Sequence, residues 1–229
     1  SIYEALTHGG IHNNTRVRFR RVQAEDLANG DPESVLGGVD AVLVPGGFGE
    51  RGLEGKVNTI QYARENNIPF LGICYGMHAA VIEYCRNVLN IKEASSTELH
   101  KDTPHPVITL LQDQHDVSEK GGTMRLGGWP CKFKEGSICE KEYGVSDVSE
   151  RHRHRYEFNN DYRDRLIEAG LSISGTSPDG NLVEVVEVEN HPWFVACQYH
   201  PEFQSKPFDA HPLFSGLVKA ALERRNQSV

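Results

Sequence analysis

No apolar run in this sequence approaches the roughly 18 residues of a membrane-spanning helix, and no signal peptide is visible at its start. Positive charge is also scarce. Lys and Arg number 24 against 32 Asp and Glu, a formal net charge of −8. Neutralising phosphates needs the opposite balance, which argues against binding to nucleic acid or to a membrane surface. The five cysteines (Cys74, Cys85, Cys131, Cys139 and Cys197) are odd in number and never spaced C-x-x-C. That speaks against a disulfide framework and a zinc site, and for a reducing compartment. There is no internal repeat, low-complexity segment or long linker. What remains is one cytoplasmic domain of 229 residues, 38% hydrophobic and 24% charged, long enough to bury a sizeable core.

The chain opens on "SIYEALTHGG", where Ser1 and Glu4 have capping-box spacing and Gly9-Gly10 offers a helix stop. "TRVRFRRV" alternates with period two and predicts a half-buried strand. "VDAVLVPGGFGERG" and "IPFLGIC" are short continuous apolar runs ending in glycine or cysteine, the pattern of buried parallel strands. "VNTIQYARENN" and "YGMHAAVIEYCRNVLN" carry apolar residues at helical spacing. Strand and helix alternating over short connections predict an α/β fold: a doubly wound, mostly parallel sheet flanked by helices. The middle differs. "PVITLL", "TMRLGGWPCKF" and "SICEKEYG" look like short strands of a small antiparallel insertion. "DYRDRLIEAGL" returns to helix, "LSISGTS", "LVEVVEV" and "WFVACQY" predict three strands, and "HPLFSGLVKAALERR" predicts a closing helix. A doubly wound fold places a core strand before its first helix, whereas this chain begins at the helix. The sequence therefore reads as trimmed, with a first strand expected to be absent.

The chemistry concentrates at "FLGICYGMHAAVIEY". Gly72-Ile73-Cys74-Tyr75-Gly76 has the G-x-nucleophile-x-G spacing of an elbow, where a reactive side chain sits on a sharp strand-to-helix turn. A helix N-terminus there is expected to favour thiolate over thiol. The bland alternative is a buried packing cysteine, the better reading for Cys85, Cys131, Cys139 and Cys197. A thiolate needs a proton shuttle. Among 11 histidines, only His200 in "VACQYHPEF" follows a convincing strand with a carboxylate two residues on. Glu202 can hold its ring in one tautomer, although a plain strand-end turn explains the same residues. Oxyanion donors are expected from the amides of Gly46, Gly47 and Tyr75. Gly49 and Gly52 read as turn glycines, and "LVPGGFGERG" matches neither a P-loop nor G-x-G-x-x-G.

"SERHRHRYEFNN" is the densest basic run. Extended, it puts Arg151, Arg153 and Arg155 on one face and His152 and His154 on the other. A solvated strand and an anion-recognition role both fit, and one arginine here can clamp a carboxylate bidentately.

Taken together these residues resemble the class I glutamine amidotransferases. There a Gly-x-Cys-x-Gly elbow and a later His-Pro-Glu form a Cys-His-Glu triad. "PGGFGERGLEGK", "FLGICYGMHAAVIEYCRNVL", "ASSTE", "MRLG", "ERHRHRYEFNN" and "QYHPEF" are similar, in that order, to the glutaminase domains of CTP synthases. The resemblance implies Cys74 as nucleophile, His200 as base and then acid, and Glu202 as its orienting partner. Gly47, Tyr75, Gly76, Met77 and His78 would line the glutamine pocket, Glu98 would meet the α-amino group and Arg155 the α-carboxylate. It implies one glutamine amidotransferase domain over residues 1–229, without its own cofactor, hydrolysing L-glutamine to glutamate and ammonia. In the whole ligase, implied to be a homotetramer, the ammonia would serve an N-terminal synthetase domain that converts UTP to CTP with ATP and Mg²⁺. GTP would be an allosteric activator, with "GFGERG" near the suspected lid. The elbow departs from the family, in which leucine and glutamine are usual where this chain has Tyr75 and His78. His78 lies one helical turn after Cys74, where it can perturb the thiolate or alter the pocket. Two rival readings use the same residues: a γ-glutamyl peptide hydrolase, and a catalytically silent regulatory domain.

Overall fold

The computed structural model describes residues 1–47, 52–110 and 124–227. Most of "GFGERG" (residues 48–51, including Gly49) and the end of "PVITLL" (residue 111) lie outside the described residues. The apolar runs form the centre: β1 (Val42–Val44), β2 (Phe70–Ile73) and β10 (Phe194–Cys197) pair in parallel in the order β1-β2-β10. Side chains alternate between two apolar layers, as a sheet covered on both faces requires. Phe70, Phe194 and Ala196 face one cluster, while Leu71, Ile73, Val195 and Cys197 face the other. On the first side Phe70 stacks on Phe194 at 4.5 Å, beneath α4 (Leu53–Glu65) and α5 (Tyr75–Asn87). On the second, Ala5 of α1 (Ile2–His12) meets Leu213, Phe214 and Leu217 of α8 (Pro212–Gln227).

The α/β class is borne out, and the sheet is mixed. Beyond β10 the order continues through β9 (Val183–Val188), β8 (Leu171–Thr176), β5 (Arg125–Phe133) and β6 (Asp147–His154), each antiparallel to its neighbour. Of the pieces expected as a small insertion, "MRLGGWPCKF" thus joins the main sheet through β5, while "PVIT" stands apart from it. A separate small sheet holds β3 (Ala94–Ser96), β4 (His105–Thr109) and β7 (Glu157–Phe158). Short helices α2 (Ala24–Ala28), α3 (Pro32–Leu36) and α7 (Arg163–Glu168) fill the connections.

Three local expectations are corrected. Gly9-Gly10 lies inside α1; a Cβ on Gly9 would sit 2.7 Å from the carbonyl oxygen of Phe214, so the glycine serves close helix packing. The run at 15–22 forms no strand, and its arginines are exposed: alternation supplies a pattern, but a strand needs a hydrogen-bonding neighbour. "SICEKEYG" contains α6 (Ile138–Tyr143), begun by Ser137 accepting from the Glu140 amide and ended by left-handed Gly144 at φ 69°. Its Ser-x-x-Glu spacing was the helix signal.

Candidate active site

The turn from β2 into α5 is strained at one residue. Cys74 has φ 52° and ψ −102°, a conformation that costs a non-glycine residue about 1–3 kcal/mol. The backbone around it is over-determined. Its amide donates to Cys197 at 2.7 Å, extending the β2–β10 ladder, and its carbonyl accepts from Met77 and His78 at 2.9 and 3.2 Å. The flanking glycines are required by contact: a Cβ on Gly72 would lie 2.9 Å from the Gly76 carbonyl oxygen, and one on Gly76 would collide with that of Val44. All five cysteines are free and buried, so burial does not single out Cys74; its backbone and its surroundings do.

His200 arrives from β10 on the same side. Its amide donates to the Arg151 carbonyl of β6 at 2.7 Å, and a single 3₁₀ turn (Pro201–Phe203) brings Glu202 back under the ring. Nδ1 lies 2.8 Å from Glu202 Oε1, and Phe203 stacks on the imidazole at 5.4 Å. Nε2 is buried and has no hydrogen-bond partner among the described residues. Gly46 joins the two halves: a Cβ there would meet His200 Cε1 at 2.8 Å and Cys74 Cβ at 3.6 Å. Only a residue without a side chain leaves room for both. Gly46 therefore lies between the Cys74 side chain and the His200 ring.

The expected thiolate is corrected. Burial pushes the Cys74 thiol up to about 12, against the lowering effect of the Tyr75 amide, and Glu202, Glu98 and Glu157 push it the same way. The helix N-terminus is there, but desolvation outweighs it. Burial therefore opposes the thiolate at this position.

Cys74 opens onto a cavity of about 380 Å³ shared with Gly47, Tyr75, His78, Glu98 and Arg155. Gly76 and Met77 do not line it: the first packs on Val44 and the second is fully buried in the core. Sequence reasoning missed Met124, His154 and Tyr156, which complete the wall. The alternation expected in the basic run holds, with Arg151, Arg153 and Arg155 exposed and His152 and His154 buried. Because β6 ends at His154, however, residues from both faces reach the cavity.

Behind this wall lies a buried ionic network. Arg125 bonds Glu157 at 3.0 Å and Glu184 at 2.7 Å, His152 bonds Glu184 at 2.6 Å, and His154 bonds Glu157 at 2.7 Å. Burial alone would raise Glu157, but His154 and Arg125 hold its carboxyl below the usual range. His78 and Gln198 form a second link: His78 Nε2 is 2.8 Å from Gln198 Oε1, and Gln198 Nε2 lies 3.8 Å from Cys74 Sγ. Burial pulls His78 down to about 4, leaving a neutral ring at neutral pH. Among the described residues, no helix is long and apolar enough to cross a membrane, and no His, Cys, Asp and Glu cluster could hold a metal ion.

The model of the family described as glutamine amidotransferase class-I matches residues 1–220. The chain is 56% identical over 236 residues to a CTP synthase of Desulfotalea psychrophila, covering 98% of this chain and 43% of that protein. It is 58% identical over 225 residues to a CTP synthase of Clostridium perfringens, covering 98% and 42%. The chain therefore spans less than half the length of these relatives. Among solved structures, the glutaminase domain of the Trypanosoma brucei CTP synthase, with bound acivicin, matches with TM-score 0.91 and 36% identity over 97% of this chain and 87% of that one.

Proposed function

The chain belongs to the class-I glutamine amidotransferases, and from that premise we propose that it is the glutaminase part of a CTP synthase, releasing ammonia from L-glutamine through Cys74, His200 and Glu202. One observation supports this reading: a Cβ on Gly46 would meet both the Cys74 side chain and the His200 ring, so the two flank one glycine, while Glu202 bonds Nδ1 of that ring. Glu98 and Arg155 on the shared cavity have the charges to receive an α-ammonium and an α-carboxylate. Glutamine so held would extend its carboxamide toward the sulfur.

His200 Nε2 takes the thiol proton, and Glu202 stabilises the imidazolium. The sulfur attacks the γ-carbonyl carbon, and the oxyanion that forms faces the amides of Tyr75, Gly46 and Gly47. The imidazolium returns its proton to the departing nitrogen, and ammonia leaves with both C–N electrons. Water, deprotonated by His200, then cleaves the γ-glutamyl thioester to glutamate and regenerates the thiol. Backbone groups near Gly47 and His78 complete the pocket, and Gly76 and Met77 act by shaping the elbow.

The glutaminase half needs no cofactor for these steps. In a full-length homotetrameric ligase the ammonia would pass to a synthetase domain that uses ATP and Mg²⁺ to convert UTP to CTP, under activation by GTP. A paired assay with L-glutamine and a γ-glutamyl peptide tests the substrate. Glutamate released from free glutamine, and abolished in Cys74→Ala, is the expected result; cleavage of the peptide alone would transfer the site to the peptidase reading.

A further inference from the structure

The triad leaves one buried polar chain beside the sulfur unexplained. His78 lines the cavity, yet its Nε2 points at Gln198 Oε1 2.8 Å away, and the other end of that carboxamide points at Cys74 Sγ. Gln198 is fully buried, and its backbone N–H donates to the Glu184 carbonyl at 2.8 Å. A carboxamide has one accepting end and one donating end. With the ring proton on Nε2, only the oxygen satisfies His78, which leaves the –NH₂ for the sulfur. A half-turn of the amide would set N–H against N–H at one end and C=O against a developing thiolate at the other. The carbonyl of Tyr156 also faces this ring, so neutral His78 has one proton for two acceptors, and the arrangement requires that proton on Nε2.

We propose that His78 is a positioning residue for the nucleophile: it fixes the Gln198 carboxamide with its –NH₂ on Cys74 Sγ, where that donor stabilises the thiolate left when the thiol proton moves to His200. The inference rests on Cys74 being the nucleophile. It gives the sulfur a second donor besides the Tyr75 amide, at a place where burial disfavours negative charge.

The test is the rate of Cys74 alkylation by iodoacetamide at pH 8, read by peptide mass. It compares wild type, His78→Leu, His78→Gln and Gln198→Leu. Losing a hydrogen bond to a charged group should slow alkylation about tenfold and lower kcat for glutamine about tenfold, with KM changed less, in both leucine variants. His78→Gln, which keeps an N–H for Gln198 Oε1, should recover most of that rate. If His78→Leu does not fold, Gln198→Leu carries the same test with His78 intact. Equal alkylation rates in wild type and variants would overturn the proposal, as would a rise in KM alone, which would make His78 a substrate contact. Full glutaminase turnover in Cys74→Ala would instead overturn the nucleophile reading on which it stands.

Discussion

Two histidine–glutamate pairs sit close together in this fold, His152 with Glu184 at 2.6 Å and His200 with Glu202 at 2.8 Å. By distance they are nearly the same object, with the first pair the more deeply buried. They differ in what the other ring nitrogen meets. His152 Nδ1 is bonded to the Glu150 carbonyl at 2.9 Å, so both nitrogens are committed, and its glutamate is shared with Arg125. His200 Nε2 is buried without a partner among the described residues, beside Cys74. A carboxylate behind a histidine is thus no signature of catalysis by itself. In the proposed reaction, what sets His200 apart from His152 is the ring nitrogen left open beside Cys74.

Exchanging the two histidines should separate rate from stability. His200→Ala should lower kcat for glutamine by about 10³-fold, the scale of a general acid–base residue, with the melting temperature little changed. A melting loss matching that of the second pair would break the distinction. A third buried histidine sharpens it. The folded value of His78 is about 4, below the ordinary 6.5, so the unfolded chain takes up the proton first. Stability is then full above pH 6.5 and declines as pH falls toward 4, by about 3 kcal/mol from this group. Urea titrations at pH 7 and pH 4.5 should show that acid loss reduced in His78→Gln, and an equal loss would contradict it. His152→Leu should cost about 2 kcal/mol of stability by leaving Glu184 one bond short, with residual turnover tracking the folded fraction. Arg155→Ala should raise KM for glutamine about tenfold with kcat less affected; an unchanged KM would remove it as the carboxylate clamp.

The same contrast explains what the sequence disclosed. The elbow around Cys74 and the His200–Glu202 step are each contiguous, and their spacing is their geometry, so both were legible. The continuous apolar runs of β2 and β10 were legible because two covered faces leave no polar alternation. Arg125, His152 and Glu184 meet only after β5, β6 and β9 enter one sheet, Glu157 joins them from β7 of the other sheet, and His78 finds Gln198 across 120 residues. No local pattern carries those contacts. The run at 15–22 misled because period-two alternation says nothing about whether a neighbour exists. The ionisation of Cys74 misled differently: the helix N-terminus is written in the sequence, and the burial that outweighs it is not.

The proposed reaction requires that Cys74, and no other cysteine, is the nucleophile that His200 serves. Treating the protein with a glutamine-mimicking electrophile and mapping the adduct by peptide mass tests it directly. A single adduct on Cys74, formed far more slowly in His200→Ala, is the predicted result; an unmodified Cys74 at saturating reagent, or an equal rate without His200, would contradict it.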